Sequence, residues 1–118
     1  MSLGLALSLW ICEEDTSVVS TLVIAAGQTK TLAPDTGIVE FTTGSSGGTA
    51  NMIAPNFIGQ RWVFDWLTGT AAPTINAPPG LMMQDYANHG TFASATSLST
   101  PGDSYEIEYD GTQLIRVS

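Results

Sequence analysis

The chain has 118 residues, 43% hydrophobic and only 12% charged, with 11 acidic residues against three basic ones and a formal net charge of -8. That length allows one domain with a small core, and low charge without low hydrophobicity excludes disorder. Lys30, Arg61 and Arg116 are the only cations; they cannot supply the clustered charge that nucleic acid or an anionic membrane surface requires, so neither is an expected partner.

The opening residues 1–12, MSLGLALSLWIC, alternate Leu3, Leu5, Leu7 and Leu9 with small or polar Gly4, Ala6 and Ser8. The run is too short to span a bilayer, which needs about 20 residues, and it lacks the basic start and small-residue cleavage site of a signal peptide. Two readings stay open: an ordinary core strand, or an apolar arm that docks on a partner. Cys12 is the single cysteine. It permits no intramolecular disulfide and builds no thiolate metal site alone. Glu13-Glu14-Asp15 reads as a solvated acidic turn.

Residues 17–25, SVVSTLVIA, are β-branched and continuous, as in a buried strand. Gly27-Gln28 turns the chain into a short strand over 29–33. Pro34-Asp35-Thr36-Gly37 has turn chemistry, and alternation resumes over 38–43. Gly44-Ser45-Ser46-Gly47-Gly48 is a loop tip; it lacks the Lys and following helix of a phosphate-binding loop. Another strand runs over 49–53. In Arg61-Trp62-Val63-Phe64-Asp65-Trp66-Leu67 the three aromatics share one strand face. Such a face is either the heart of a small core or, with Trp62 and Trp66 exposed, a platform for stacking sugars. A short strand over 74–77 precedes the rigid Pro78-Pro79-Gly80. Residues 81–90 form a long loop with room for one helical turn, and 91–99 form one alternating strand.

The ending carries the clearest local signal. Tyr105, Ile107 and Tyr109 alternate with Ser104, Glu106 and Glu108, and Asp110-Gly111 separates them from Leu114, Ile115 and Val117. An Asp-Gly pair between β-prone runs predicts a two-residue hairpin turn. Tyr109 then pairs with Thr112, Ile107 with Leu114, and Tyr105 with Arg116, placing Arg116 against the Tyr105 ring. The same register puts Ile115 and Val117 on the face of Glu106 and Glu108, so another surface is expected to cover them.

Catalytic constellations are weak. Asp85, Asn88 and His89 form at best a partial metal site, and no nucleophile motif surrounds the only histidine. No enzyme, metal or cofactor is expected.

The series Ala54-Pro55-Asn56, Gly59-Gln60-Arg61-Trp62-Val63-Phe64, Asn76-x-Pro78-Pro79-Gly80 and Leu98-x-x-Pro101-Gly102-x-x-Tyr105-Glu106-Ile107-x-Tyr109-Asp110-Gly111-Thr112-Gln113 resembles the small β-modules of tailed-phage fibres, spikes and head-decorating proteins. The likeness covers residues 29–118 and departs at Leu114, where those modules carry an aromatic. Residues 1–28, the arm and first core strand, fall outside it. The resemblance implies an all-β, compact antiparallel sandwich or barrel-like module of eight to ten short strands ending in a hairpin. It further implies a structural protein of the virion, assembled in the host cytoplasm, that decorates the head as a trimer. The expected partners are the major capsid protein and other copies of the chain. In that setting Leu3, Leu5, Leu7 and Leu9 add a strand to a capsid sheet edge, and Ile115 and Val117 lie at a subunit contact. The alternative is a glycan-binding or adaptor module of a tail fibre or spike, using Trp62 and Trp66.

Overall fold

The computed structural model describes residues 19–118, which form eleven strands in two sheets and no helix. They are β1 (Ser20–Ala25), β2 (Thr29–Thr31), β3 (Thr36–Thr42), β4 (Thr49–Asn51), β5 (Arg61–Thr68), β6 (Thr74–Asn76), β7 (Met83–Gln84), β8 (Phe92–Ala93), β9 (Ala95–Ser97), β10 (Ser104–Tyr109) and β11 (Leu114–Arg116). The first sheet has the order β1-β3-β5-β10-β11-β7-β8, and the second β2-β4-β6-β9.

The two-sheet, all-β architecture matches expectation, but the pairing is mixed rather than wholly antiparallel. Strands β1 to β6 alternate between the sheets, so each loop carries the chain across the sandwich. Neighbours within a sheet are then one full coil apart and run parallel: β1 with β3, β3 with β5, β2 with β4, and β4 with β6. Three coils stack in this way. The later strands close the sheets antiparallel, β10 on β5 and β9 on β6.

Inward positions follow the period of two. Ile24, Phe41 and Trp66 form one cross-strand row, and Leu22, Val39, Phe64 and Tyr105 form the next. Ala50, Ile75 and Thr96 answer from the second sheet. Where Gly48 enters β4, an added Cβ would sit 2.8 Å from Ile24 Cγ2, so only glycine lets the sheets approach there.

Four local expectations change. Residues 17–25, expected as a buried strand, supply the edge strand β1, where Ile24 is buried but Val23 is exposed. Residues 81–90 hold the short β7 and no helical turn. The expected strand over 91–99 is two strands: β8 pairs with β7 in the first sheet, and β9 pairs with β6 in the second. Its unbroken alternation hides the change of partner at Ser94.

The terminal hairpin forms, but its register moves by two residues. Tyr109 faces Leu114, Glu108 faces Ile115 and Ile107 faces Arg116. The loop therefore has four residues, because the Asp110 carboxylate takes the N–H groups of Thr112 (2.8 Å) and Gln113 (2.9 Å). Those bonds, Gln113 first, hold its carboxyl below the usual range. An even slip preserves the faces, so Ile115 and Val117 still stand beside Glu106 and Glu108.

Gly111 has φ +101°, and a Cβ there would meet Ile58 at 3.3 Å. Gly111→Val is expected to destabilise by about 1–3 kcal/mol. Urea unfolding followed by circular dichroism measures this, and a shift below about 0.5 kcal/mol, ordinary for surface substitutions, would contradict the strained turn.

Candidate functional site: the outer face of the first sheet

The outward side chains of β1, β3, β5, β10 and β11 compose one broad face. One row runs Thr21, Ile38, Val63, Glu106 and continues to Val117, whose N–H donates to the Glu106 carbonyl at 2.8 Å. The row on one side is Arg61, Glu108, Ile115. The row on the other is Val23, Glu40, Asp65, Ser104. Branched aliphatics (Val23, Ile38, Val63, Ile115 and Val117) alternate with the charges of Glu40, Arg61, Asp65, Glu106 and Glu108, and Val23, Leu67 and Val117 are 46%, 47% and 37% exposed. The expected neighbourhood of Ile115 and Val117 is thus assembled, with Ile115 half-buried.

Charge is unevenly met on this face. Arg61 bridges Glu108 (2.8 Å) and Glu106 (3.3 Å), and the Glu108 contact, then Glu106, raises the guanidinium pKa above its ordinary value. An exposed pair of this kind adds little stability, so it chiefly sets where the charges stand. Glu40 and Asp65 lie directly opposite each other. Among the described residues the only ion pairs are those of Arg61, leaving Glu40 and Asp65 as a like-charge cross-strand pair, an arrangement a sheet face disfavours.

The other predicted positions resolve differently. Trp62 and Trp66 are each 2% exposed, with Phe64 fully buried between them. They belong to the core, and neither offers a ring face for stacking a sugar. Trp66 carries a polar handle: its Nε1–H donates to Thr43 Oγ1 (3.0 Å) and the Thr68 carbonyl (2.9 Å). The single proton of the Thr43 hydroxyl goes to the Ala71 carbonyl (2.9 Å), with the Thr68 carbonyl the more distant acceptor at 3.2 Å. Leu3, Leu5, Leu7, Leu9, Cys12 and the acidic turn at 13–15 lie outside the described residues.

Asp85, Asn88 and His89 do not converge on a common point. Asp85 accepts from the Thr96 hydroxyl (2.6 Å) and the Asn88 N–H (2.9 Å), pinning the loop. His89 turns instead to Arg116, whose Nη1 lies 2.7 Å from Nε2. Guanidinium can only donate, so Nε2 accepts and the ring proton sits on Nδ1. No group of three His, Cys, Asp or Glu gathers among the described residues.

Arg116 lies 5.7 Å from the Tyr105 ring, the expected contact, and 4.3 Å from Tyr86, which sequence reasoning missed. Tyr86 arrives from the loop at 85–90, and no local pattern announces that approach. Burial pushes the Tyr105 phenol well above its ordinary pKa, and its hydroxyl donates to the Gln84 carbonyl. This cluster ties the loop to the hairpin. The chain matches no protein-family model and no curated protein.

Proposed function

We propose that this protein is a structural component of a tailed-phage virion that decorates the head surface, self-associating as a trimer and contacting the major capsid protein. The observation that carries the reading is the outer face of the first sheet. Val23, Leu67 and Val117 stand exposed among its charges, and the opposed carboxylates of Glu40 and Asp65 form no ion pair among the described residues. Exposed aliphatics gathered on one sheet face are a candidate protein-binding surface. Burial of Ile115, Val117 and Val63 against a neighbour would drive association, and a basic group on the partner would relieve the paired acids. The low charge of the whole chain and the ordered motif series of residues 29–118 support the same reading.

Val117→Glu tests it. The side chain is solvent-accessible, so the fold should tolerate the change, while a further carboxylate beside Glu106 opposes docking. The wild type is expected to sediment as an oligomer and to co-sediment with heads lacking their surface proteins. The variant is expected to lose both behaviours with an unchanged far-ultraviolet spectrum. A monomeric wild type, or a variant that associates and binds normally, would contradict the assignment.

A further inference from the structure

A cleft of about 340 Å³ lies between the turn at 34–37 and the loop at 56–61, and Asp35, Asn56, Phe57, Gln60 and Arg61 all line it. That volume is at the lower end for small-ligand sites, which combine an apolar wall with a few convergent polar groups. Phe57 supplies the apolar wall. It is 57% exposed, and among the described residues it is the one aromatic side chain in so open a position.

The loop that presents this ring is held on both sides. Asn56 Nδ2 donates to the Pro34 carbonyl (3.1 Å), tying the two walls together, and the Asn56 N–H donates to Gln60 Oε1 (2.6 Å). Toward β10, the Gly59 N–H reaches the Tyr109 carbonyl (2.8 Å) and the Tyr109 N–H reaches the Gln60 carbonyl (2.9 Å). Phe57 is therefore displayed from a fixed wall, which lowers the ordering cost of binding.

Charge narrows the class of ligand. The Arg61 guanidinium is already matched by Glu106 and Glu108. Asp35 adds a carboxylate to the cleft, and the whole chain carries a net charge of -8. An anionic ligand is disfavoured on both counts. A pyranose suits what is left. One face of its ring is a flat array of C–H groups that stacks on an aromatic, and its hydroxyls both donate and accept. Amide side chains can answer them in either sense, and a carboxylate can accept.

We propose that this cleft binds one ring of a neutral sugar, with its C–H face on Phe57 and its hydroxyls toward Asp35, Asn56 and Gln60. Asn56 Nδ2 and Gln60 Oε1 serve the loop, so the sugar is met by Asn56 Oδ1 as acceptor and Gln60 Nε2 as donor. This gives Phe57 the stacking role that the buried Trp62 and Trp66 cannot fill. It stands independently of the head-surface reading.

Saturation-transfer NMR on the full chain tests the site, using methyl glycosides of glucose, galactose and mannose together with N-acetylglucosamine and N-acetylgalactosamine. At least one is expected to bind, with transfer strongest to the C–H protons of one ring face. In the wild type the amide signals of Asp35, Asn56 and Gln60 should shift as that sugar is added. Phe57→Ala and Phe57→Leu should each weaken binding at least about tenfold, equivalent to about 1.4 kcal/mol, while Phe57→Tyr should retain it. The exposed position predicts an unchanged far-ultraviolet spectrum for all three variants. Absence of transfer to every sugar, or shifts confined to residues away from the cleft, would overturn the proposal whether or not the variants fold. So would full binding by Phe57→Leu, because an apolar contact without a ring face would then suffice. Tighter binding of glucuronate than of the neutral sugars would overturn it as well.

Discussion

Trp66→Ala is expected to lower the unfolding free energy by about 3–5 kcal/mol, the usual cost of deleting a large buried aromatic. Trp66 sits in the row Ile24, Phe41, Trp66, where the first and third coils meet through the second. Its removal leaves a cavity between the sheets and takes the indole donor from Thr43 Oγ1 and the Thr68 carbonyl. Thr43 is itself buried and still donates to Ala71, so the polar knot is depleted rather than abolished. Leu67→Ala is the control on the same strand. Its side chain is 47% exposed, and the expected change is within about 0.5–1 kcal/mol. Denaturant titration followed by far-ultraviolet circular dichroism measures both without depending on tryptophan fluorescence. Similar losses for the two variants would mean that Trp66 does not hold the coils together.

Gly69→Ala should be comparably severe, although it adds only one methyl group. Gly69 has φ +120°, and an added Cβ would fall 2.1 Å from the Thr43 carbonyl oxygen and 2.2 Å from its hydroxyl. Backbone atoms cannot step aside as a flexible side chain would. The turn at 68–71 must therefore move, and with it the acceptors of the Thr43–Trp66 network. A loss of about 3 kcal/mol or more follows from strain and clash together. Gly102→Ala separates the two contributions. Its φ is +97°, yet nothing lies within 4 Å of the new Cβ, so only the conformational term of about 1–2 kcal/mol remains. Equal losses at the two glycines would remove the clash with Thr43 from the account.

The contrast between these sites shows what local sequence makes legible. The alternation of Arg61 to Leu67 placed Trp62, Phe64 and Trp66 on one face, and the core is built on that face. Period-two patterning reports which side of a strand is apolar, whatever strand lies beside it. Partner choice is a different quantity. Nothing in residues 20–25 or 36–42 declares that these strands run parallel, because that depends on an intervening strand crossing to the other sheet. The split of 91–99 escaped notice for the same reason: both halves keep the alternation while Ser94 passes between sheets.

The hairpin falls between these cases. Asp110-Gly111 marked the reversal, and glycine's positive φ was required there. Yet the Asp110 carboxylate captures two N–H groups ahead and lengthens the loop, an option that the dipeptide alone does not reveal. The side of Ile115 and Val117 survived because the slip was even. Their surroundings were harder to read, since Glu40 and Asp65 become neighbours of one another only once β3 and β5 are paired. The contact of Tyr86 with Arg116 likewise joins residues 30 apart in sequence through a loop without a repeating pattern.

The central claim is that this chain is part of the particle surface. Quantitative mass spectrometry of gradient-purified virions, with and without brief protease treatment, tests it most directly. The account predicts that the chain is present in a fixed ratio to the major head protein. It also predicts that in intact particles the outer-face segments 61–67 and 104–117 resist modification relative to the isolated protein. A chain absent from purified particles, or present without a constant ratio to the head protein, would contradict it.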